Sequence, residues 1–341
     1  MRGSIHLFDR LPQVDSAGAA PQPGVAAPVR ARPLVGLIRN PRSHRNESGR
    51  SQRVSDPNII LRMPDKRSEL PAILEEFARE RVDYIAIDGG DGTVRDVLTC
   101  GAGQFGESWP ALIVLPSGKT NALAHDLGIP ADWSVADAIA AARRGNVVMR
   151  RPMGVSQRGD DKAQVRGFVL GAGAFTHAVN LGQDAHRFGA FNSAAVAVTT
   201  AWTALQALFG SRGNKWRKPT RMYLADENGR PIESHAGRPD ERYFLLASTL
   251  YGFPAGLDPF RSVTGRIRFG VLDTASRRVL SRLPMLMRGK ITPATRNRGA
   301  HVHGVDAMQF DIGDSFILDG EAFPAGQYRI TAGRRLRFIV P

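Results

Sequence analysis

The sequence predicts an α/β domain followed by a β-rich domain. Apolar runs of strand length alternate with helix-spaced segments from Leu34 to about Val147, and short strands divided by Gly, Asp and Pro follow. Of the 341 residues, 42% are hydrophobic, which is enough for real cores in two domains or one large one. Leu34–Ile38 reads as the first strand and runs into Asn40-Pro41-Arg42-Ser43. Leu70–Arg81 has helical spacing, Tyr84–Ile87 is a buried strand, and Val94–Thr99 is the next helix. Leu112–Leu115 forms another buried strand that turns at Pro116-Ser117-Gly118 into a helix from about Asn121 to Leu127, and Val135–Arg143 is one more helix. This alternation implies a parallel sheet with ligands at the carboxyl ends of its strands.

Beyond Val147 the strands are Val165–Leu170, Arg221–Ala225, Tyr243–Ser248, Arg266–Leu272, Ala307–Ile312 and Phe316–Leu318, as in a β-sandwich, with helical segments near 191–209 and 275–287. The domains are therefore expected at 34–147 (α/β) and 148–325 (β-rich). A terminal segment, 326–341, holds a last strand, Leu336–Val340, that can return to the first domain. Residues 1–33 are rich in Ala, Pro, Gly and Arg, lack apolar periodicity and a secretory-signal core, and are expected to be a disordered tail. Phe191–Phe209 carries no charge, yet Asn192, Ser193, Thr199, Thr200, Thr203 and Gln206 interrupt it, which favours a buried or lipid-facing helix over a spanning one.

A net charge of +14 points to an anionic partner: a nucleotide, a nucleic acid or an acidic membrane face. Aromatic residues make up only 7%, and no basic helix interleaved with aromatics or zinc-finger spacing is present, so no nucleic-acid partner is expected. The single cysteine, Cys100, excludes an internal disulfide, fits a reducing, cytoplasmic setting and lies on the apolar side of its helix, where it packs. Leu283–Met287, flanked by Arg282, Arg288 and Lys290, is a candidate for peripheral contact with an anionic bilayer.

The densest chemical signal is Asp88-Gly89-Gly90-Asp91-Gly92-Thr93, a glycine-rich turn from strand to helix. Gly89, Gly90 and Gly92 allow positive φ and close approach of backbone N–H groups to a ligand, and Thr93 can cap the helix behind them. That geometry suits a phosphate. Asp91, a carboxylate set among donors, makes sense if it holds magnesium or removes a proton beside the phosphate; the plain alternative is a tight turn with a surface acid.

The order of these signals resembles the diacylglycerol kinase catalytic-domain family, which includes bacterial lipid kinases and sphingosine kinases and is related to NAD kinases. The resemblance spans 34–341. It rests on Gly89-Gly90-Asp91-Gly92-Thr93, on Leu115-Pro116-Ser117-Gly118-Lys119-Thr120-Asn121, similar to a Pro-x-Gly-Thr-x-Asn nucleotide loop, on Asn40-Pro41-x-Ser43, and on Leu318-Asp319-Gly320-Glu321, similar to the family's Asp-Gly-Glu motif. Phe168–Ala178 resembles the strand that starts the second domain. What the resemblance implies is a Rossmann-like first domain, a β-sandwich second domain, and an ATP- and Mg2+-dependent kinase acting on a hydroxyl of a diacylglycerol- or sphingoid-like lipid. Gly89, Gly90, Gly92, Thr93 and Gly118 would form phosphate loops, with Asn40, Asp96, Lys119, Thr120 and Asn121 contributing nucleotide contacts. Asp91 would be base or magnesium ligand and Glu321 the competing base, the two meeting across the cleft. An NAD-kinase-like small-molecule kinase and a non-catalytic nucleotide-binding or membrane-associated protein share these signals.

The chain departs from the pattern in places. Arg95-Asp96 stands where Asn-Glu is usual, Lys119 replaces Thr, and Ala122 replaces Asp. Ser262–Arg268 aligns with a stretch that bears a structural magnesium site in some members, but its acids are missing, so no such site is expected. Gly118-Lys119-Thr120 mimics the end of a Walker A loop, yet Ile113 occupies the position that needs glycine. His301-x-His303 has no acid or cysteine at zinc-ligand spacing and reads as a pair of surface histidines.

Overall fold

The structure, a computed structural model, describes residues 30, 32–47, 56–176 and 217–341. It is a mixed α/β chain whose C-terminal part is rich in β-structure. The first sheet has the strand order β2-β1-β3-β4-β18-β5. Its strands are β1 Val35–Arg39, β2 Ile59–Arg62, β3 Tyr84–Gly89, β4 Ala111–Pro116, β5 Val147–Arg150 and β18 Leu336–Ile339. Strands β1 to β4 pair in parallel, as βαβ crossovers require. β18 then lies parallel to β4 and antiparallel to β5. Leu336 and Phe338 are buried there, so the chain end completes the first core.

The helix Leu70–Arg79 buries Leu70, Leu74 and Phe77 against this sheet. It stops two residues before the apolar periodicity does, because Arg81 takes a left-handed φ of 51°. Strand β3 runs to Gly89 and the helix Asp91–Cys100 begins one residue later, so the turn between them is a single residue, Gly90. Arg30, placed by the sequence in the tail, donates to the carbonyls of Glu80 and Arg81.

Two further sheets follow, both antiparallel, with orders β10-β9-β14-β17-β6-β7 and β13-β12-β11-β8-β15-β16. The strands of the former are β6 Met153–Gln157, β7 Asp160–Gly167, β9 Thr220–Asp226, β10 Glu241–Arg242, β14 Ala307–Ile312 and β17 Gly326–Ala332. Those of the latter are β8 Val169–Gly173, β11 Phe244–Ser248, β12 Ile267–Leu272, β13 Ala300–Val305, β15 Phe316–Leu318 and β16 Glu321–Phe323. Alternate residues of both sheets, such as Val155, Phe310 and Ile330 from one and Leu170, Phe269 and Phe316 from the other, share one core.

Val165–Leu170, which reads as one strand, is two. The chain passes from β7 to β8 at Phe168, which leaves the second core and packs with the first. Residues 275–287 form two short helices, Arg277–Leu280 and Leu283–Leu286. Leu286 is buried, and the partly exposed Leu283 and Met285 pack against the core that holds Leu272, Val279 and Ala300. The segment 191–209 lies outside the described residues. Among those described, no helix is long and apolar enough to cross a membrane.

His301 and His303 also differ from expectation. Strand β13 turns His301 inward, where it is 2% exposed, with Nε2 3.1 Å from Asp273 Oδ1 and Nδ1 2.7 Å from Nε2 of the half-buried His303. Arg242 pairs with the same Asp273 at 3.1 Å. They form a buried polar network whose acid comes from the neighbouring strand's end, so local spacing could not announce it.

Candidate active site

The carboxyl ends of β1, β3 and β4 bring Asn40, Gly90 and Gly118 together. The decisive contact lies between the two glycine loops. A Cβ on Gly118 would sit 2.5 Å from Gly90 Cα, so neither loop tolerates a side chain at the crossing. Gly89, Gly90 and Gly92 do not take the positive φ expected for this turn, and neither does Gly118; close approach is what requires glycine at Gly90 and Gly118. Gly90 is extended and is the N-cap of Asp91–Cys100, with no side chain capping the helix end. Thr93 is therefore not the cap. It lies in the first turn, where its Oγ1 accepts from Asn40 Nδ2 at 2.9 Å. An uncapped helix N-terminus beside a second glycine loop is suited to an anion.

Behind the loops, the buried Asp88 accepts from Arg39 Nε at 2.6 Å, from Asn46 Nδ2 at 3.1 Å and from the Ser117 hydroxyl. It thus ties β1, β3 and β4 at their functional ends. Asn121 adopts a φ of 49° and closes its own loop, accepting from Gly118 N at 2.9 Å and donating to Gly118 O at 2.8 Å. Thr120 is exposed on that turn. Asp91 is equally engaged. Its two oxygens accept from Ala122 N at 2.9 Å and Leu123 N at 3.1 Å, holding the first turn of the helix Ala122–Asp126. Burial raises the proton affinity of Asp91, and these backbone donors work against that rise.

The groove in front of the loops has a volume of about 630 Å3, and its wall includes Asn40, Arg42, Gly90, Gly92, Thr93, Asp96, Gly118, Lys119 and Gly320. Gly320 comes from the β-rich part. The register Leu318↔Glu321 leaves Asp319 and Gly320 as a two-residue hairpin loop, and their φ values of 45° and 81° are those that an Asp-Gly turn supplies. Asp319 is partly buried in this turn. Its carboxyl oxygens accept from Phe168 N at 3.0 Å and Val169 N at 2.9 Å, fixing the point where the chain changes sheets. Burial first, and the charge of Asp91 next, push Asp319 up to about 7. The second-domain acid that senses Asp91 is thus Asp319.

Glu321 sits instead in a cluster with two arginines. Arg67 Nη2 is 2.9 Å from Glu321 Oε2 and Arg67 Nε 2.9 Å from Asp96 Oδ2. Arg95 pairs with Glu321, lies 2.8 Å from Asp96 Oδ1 and donates to the Leu318 carbonyl at 3.2 Å. Burial works against the charge of Arg95, but Asp96 and Glu321 more than offset this and hold its pKa above the ordinary range. Arg95 therefore fastens the Asp319–Glu321 turn to the helix that starts after Gly90. Arg67 was not singled out from sequence, and Asp319 was read only as part of the Asp-Gly-Glu motif, without a role in the site. The Asp-Gly dipeptide between apolar runs is a readable hairpin signal, whereas the partners of both residues come from distant segments.

Residues 37–151 match the family model of the diacylglycerol kinase catalytic domain. Three solved structures of proteins from Bacillus anthracis str. Sterne with diacylglycerol kinase descriptions share the fold. They superpose with TM-scores of 0.63, 0.61 and 0.60 at 15%, 15% and 14% identity, each covering 92% of this chain and 99% of its own. No curated protein matches the sequence. At such identity the structures establish a common fold.

Proposed function

We propose that the protein is an ATP-dependent kinase that transfers a phosphoryl group to a lipid hydroxyl, with a Rossmann-like nucleotide domain and a β-sandwich second domain. The observation that carries this reading is the groove where the Gly90 and Gly118 loops meet the Asp319-Gly320 turn. Phosphoryl transfer needs little covalent help from a protein and depends on positioning and charge stabilisation. The backbone of the two loops and the uncapped helix end serve the phosphates, with Lys119, exposed on the rim, as a mobile point charge. Asn40 orients Thr93, and Asn121 keeps the second loop closed.

Asp91 is the better-placed proton acceptor, because burial raises its proton affinity while Glu321 has two guanidinium partners. Glu321 then keeps the second domain docked on the groove. The charge of Asp91 raises the proton affinity of Asp319, and a magnesium ion held by Asp91, its shell completed by water and phosphate, would relieve that repulsion. Magnesium, when bound with the nucleotide, supplies charge neutralisation at the transferring phosphoryl group. The lipid acceptor rests on the family match. The apolar cavity lined by Phe244, Phe260, Leu286 and Val302 holds about 40 Å3, room for little more than a water molecule.

Incubation with labelled ATP, magnesium and either total lipid extract or NAD tests this reading. Label is expected in lipid. Label in NAD would transfer the reading to a small-molecule kinase, and near-normal turnover of Asp91→Asn would remove Asp91 as base. Lys119→Thr is expected to raise the apparent ATP constant more than it lowers turnover, and unchanged affinity would assign Lys119 to the solvated turn.

A further inference from the structure

Tyr251 is the most exposed large hydrophobic side chain among the described residues, at 62%, and it stands among guanidinium groups. Arg150 lies 5.0 Å from its ring centroid and Arg268 4.6 Å. Its backbone is clamped: Asp126 Oδ1 accepts from Tyr251 N and Gly252 N, both at 2.6 Å, while Asp126 Oδ2 pairs with Arg150. The ring is thus presented by a fixed loop, not a loose one. Arg151 sits beside it, bound to the Gly333 carbonyl at 3.1 Å, and feels Arg266, Arg335 and Tyr251. Burial first, then these two like charges, lower its pKa, which marks cations crowded together without enough acid between them. The acids at hand are Asp126, spent on Arg150, Asp306, 3.5 Å from Arg266, and Asp258 near Arg268. Met149 and Val147, each 41% exposed, lie on the adjoining edge strand β5.

We infer that the Tyr251 loop, with Arg151, Arg266 and Arg335 around it, is the surface by which this protein docks on an anionic phospholipid bilayer. A rigid ring with an apolar body and a hydroxyl tip settles at the headgroup level, and a guanidinium fork matches lipid phosphates. The position is also apt. Asp126, which clamps the loop, is the last residue of the helix whose first turn is held by Asp91, so the patch and the phosphate loops are separated by five residues of helix, about 8 Å of rise. A bilayer seated there brings lipid headgroups to the side of the groove. The link to the groove rests on the lipid-kinase reading; docking itself does not.

Sedimentation of the full chain with phosphatidylglycerol–phosphatidylcholine vesicles, against phosphatidylcholine alone and without nucleotide, tests the surface. Wild-type protein is expected to pellet with the anionic vesicles only and to be released as salt rises. The combined Arg151, Arg266 and Arg335→Ala variant is expected to lose partitioning by roughly a hundredfold at low salt, and Tyr251→Ala by several-fold with Tyr251→Trp retained. A control with the same charge loss, Arg79, Arg238 and Arg278→Ala, is expected to keep most binding. Equal losses in the patch variant and this control would overturn the inference, as would wild-type pelleting of the patch variant. So would a patch variant that keeps vesicle binding and loses RNA binding. Unchanged thermal melts show that the variants fold. A thermal shift with ATP reports on the groove separately, so failure of the kinase reading and failure of the docking surface are distinguishable.

Discussion

Gly118→Ala is the substitution that most directly tests how the groove is built. The new Cβ would lie 2.5 Å from Gly90 Cα, 2.8 Å from Asn121 Oδ1 and 3.3 Å from Gly90 N. Ordinary contact begins at 3.4 Å, so the loops must part by about 1 Å, and the obstructing atom is backbone that cannot rotate away. Forced overpacking of this kind costs about 1–3 kcal/mol, a fall in melting temperature of roughly 1–4 °C for a protein of this size. Displacing a phosphate cradle by about 1 Å is expected to lower phosphoryl transfer on the order of 10²-fold. Gly92→Ala is the matched contrast. Its Cβ would meet nothing nearer than Arg95 Nη2 at 3.8 Å, and it lies in the first turn of a helix, where Ala is favoured over Gly. Its melting temperature is expected to hold or rise while the methyl group intrudes on the groove and ATP binding falls. Scanning fluorimetry with and without ATP, followed by transfer assays, reads both quantities. Equal melting temperatures for the two variants would refute the loop contact, and full ATP-induced stabilisation in both would refute the phosphate cradle.

Arg95→Met removes the donor shared by Asp96, Glu321 and the Leu318 carbonyl and leaves buried acids short of a partner, so urea unfolding is expected to show a loss of about 3–5 kcal/mol; a loss below 1 kcal/mol would deny the fastening role. His303, lowered to about 4 by burial first and by His301 next, is neutral in the folded protein where the unfolded chain is protonated. Its contribution is therefore complete above pH 6.5 and lost as pH falls toward 4, on the order of 2 kcal/mol with its partial exposure allowed for. The stability of wild type relative to His303→Phe should fall over that window, and a pH-independent difference would contradict the buried network. Cys100, pushed up to about 12 by burial and the charge of Asp96, is expected to resist thiol reagents in the native state; labelling at the rate of a free thiol would show that the helix Asp91–Cys100 opens.

Local pattern determined much of this molecule. Tyr84–Ile87 and Leu112–Leu115 are strands because their apolar runs can be buried on both faces, and the Gly90 and Gly118 turns could be placed because glycine marks where backbone must come close. Ala307–Ile312 and Phe316–Leu318 were legible to the residue for the same reason of short-range alternation. Other features depended on segments far apart in the chain. Strand β2 carries the apolar run Ile59-Ile60-Leu61, too short to be read as a strand by itself, and its intermediate burial throughout is that of an edge strand paired with β1. The break at Phe168 depends on Asp319, and the inward turn of His301 on Asp273. Glu321 and Asp91 could be named from motifs, but their surroundings could not: Arg67, from the turn before Leu70, takes Glu321, and the N–H groups of Ala122 and Leu123 take Asp91. Residue type and spacing report what a side chain can do, because propensity and periodicity act within a few residues. Which charge meets which is decided only when the sheets close, since a carboxylate stripped of water must take whatever donors the fold brings within about 3 Å.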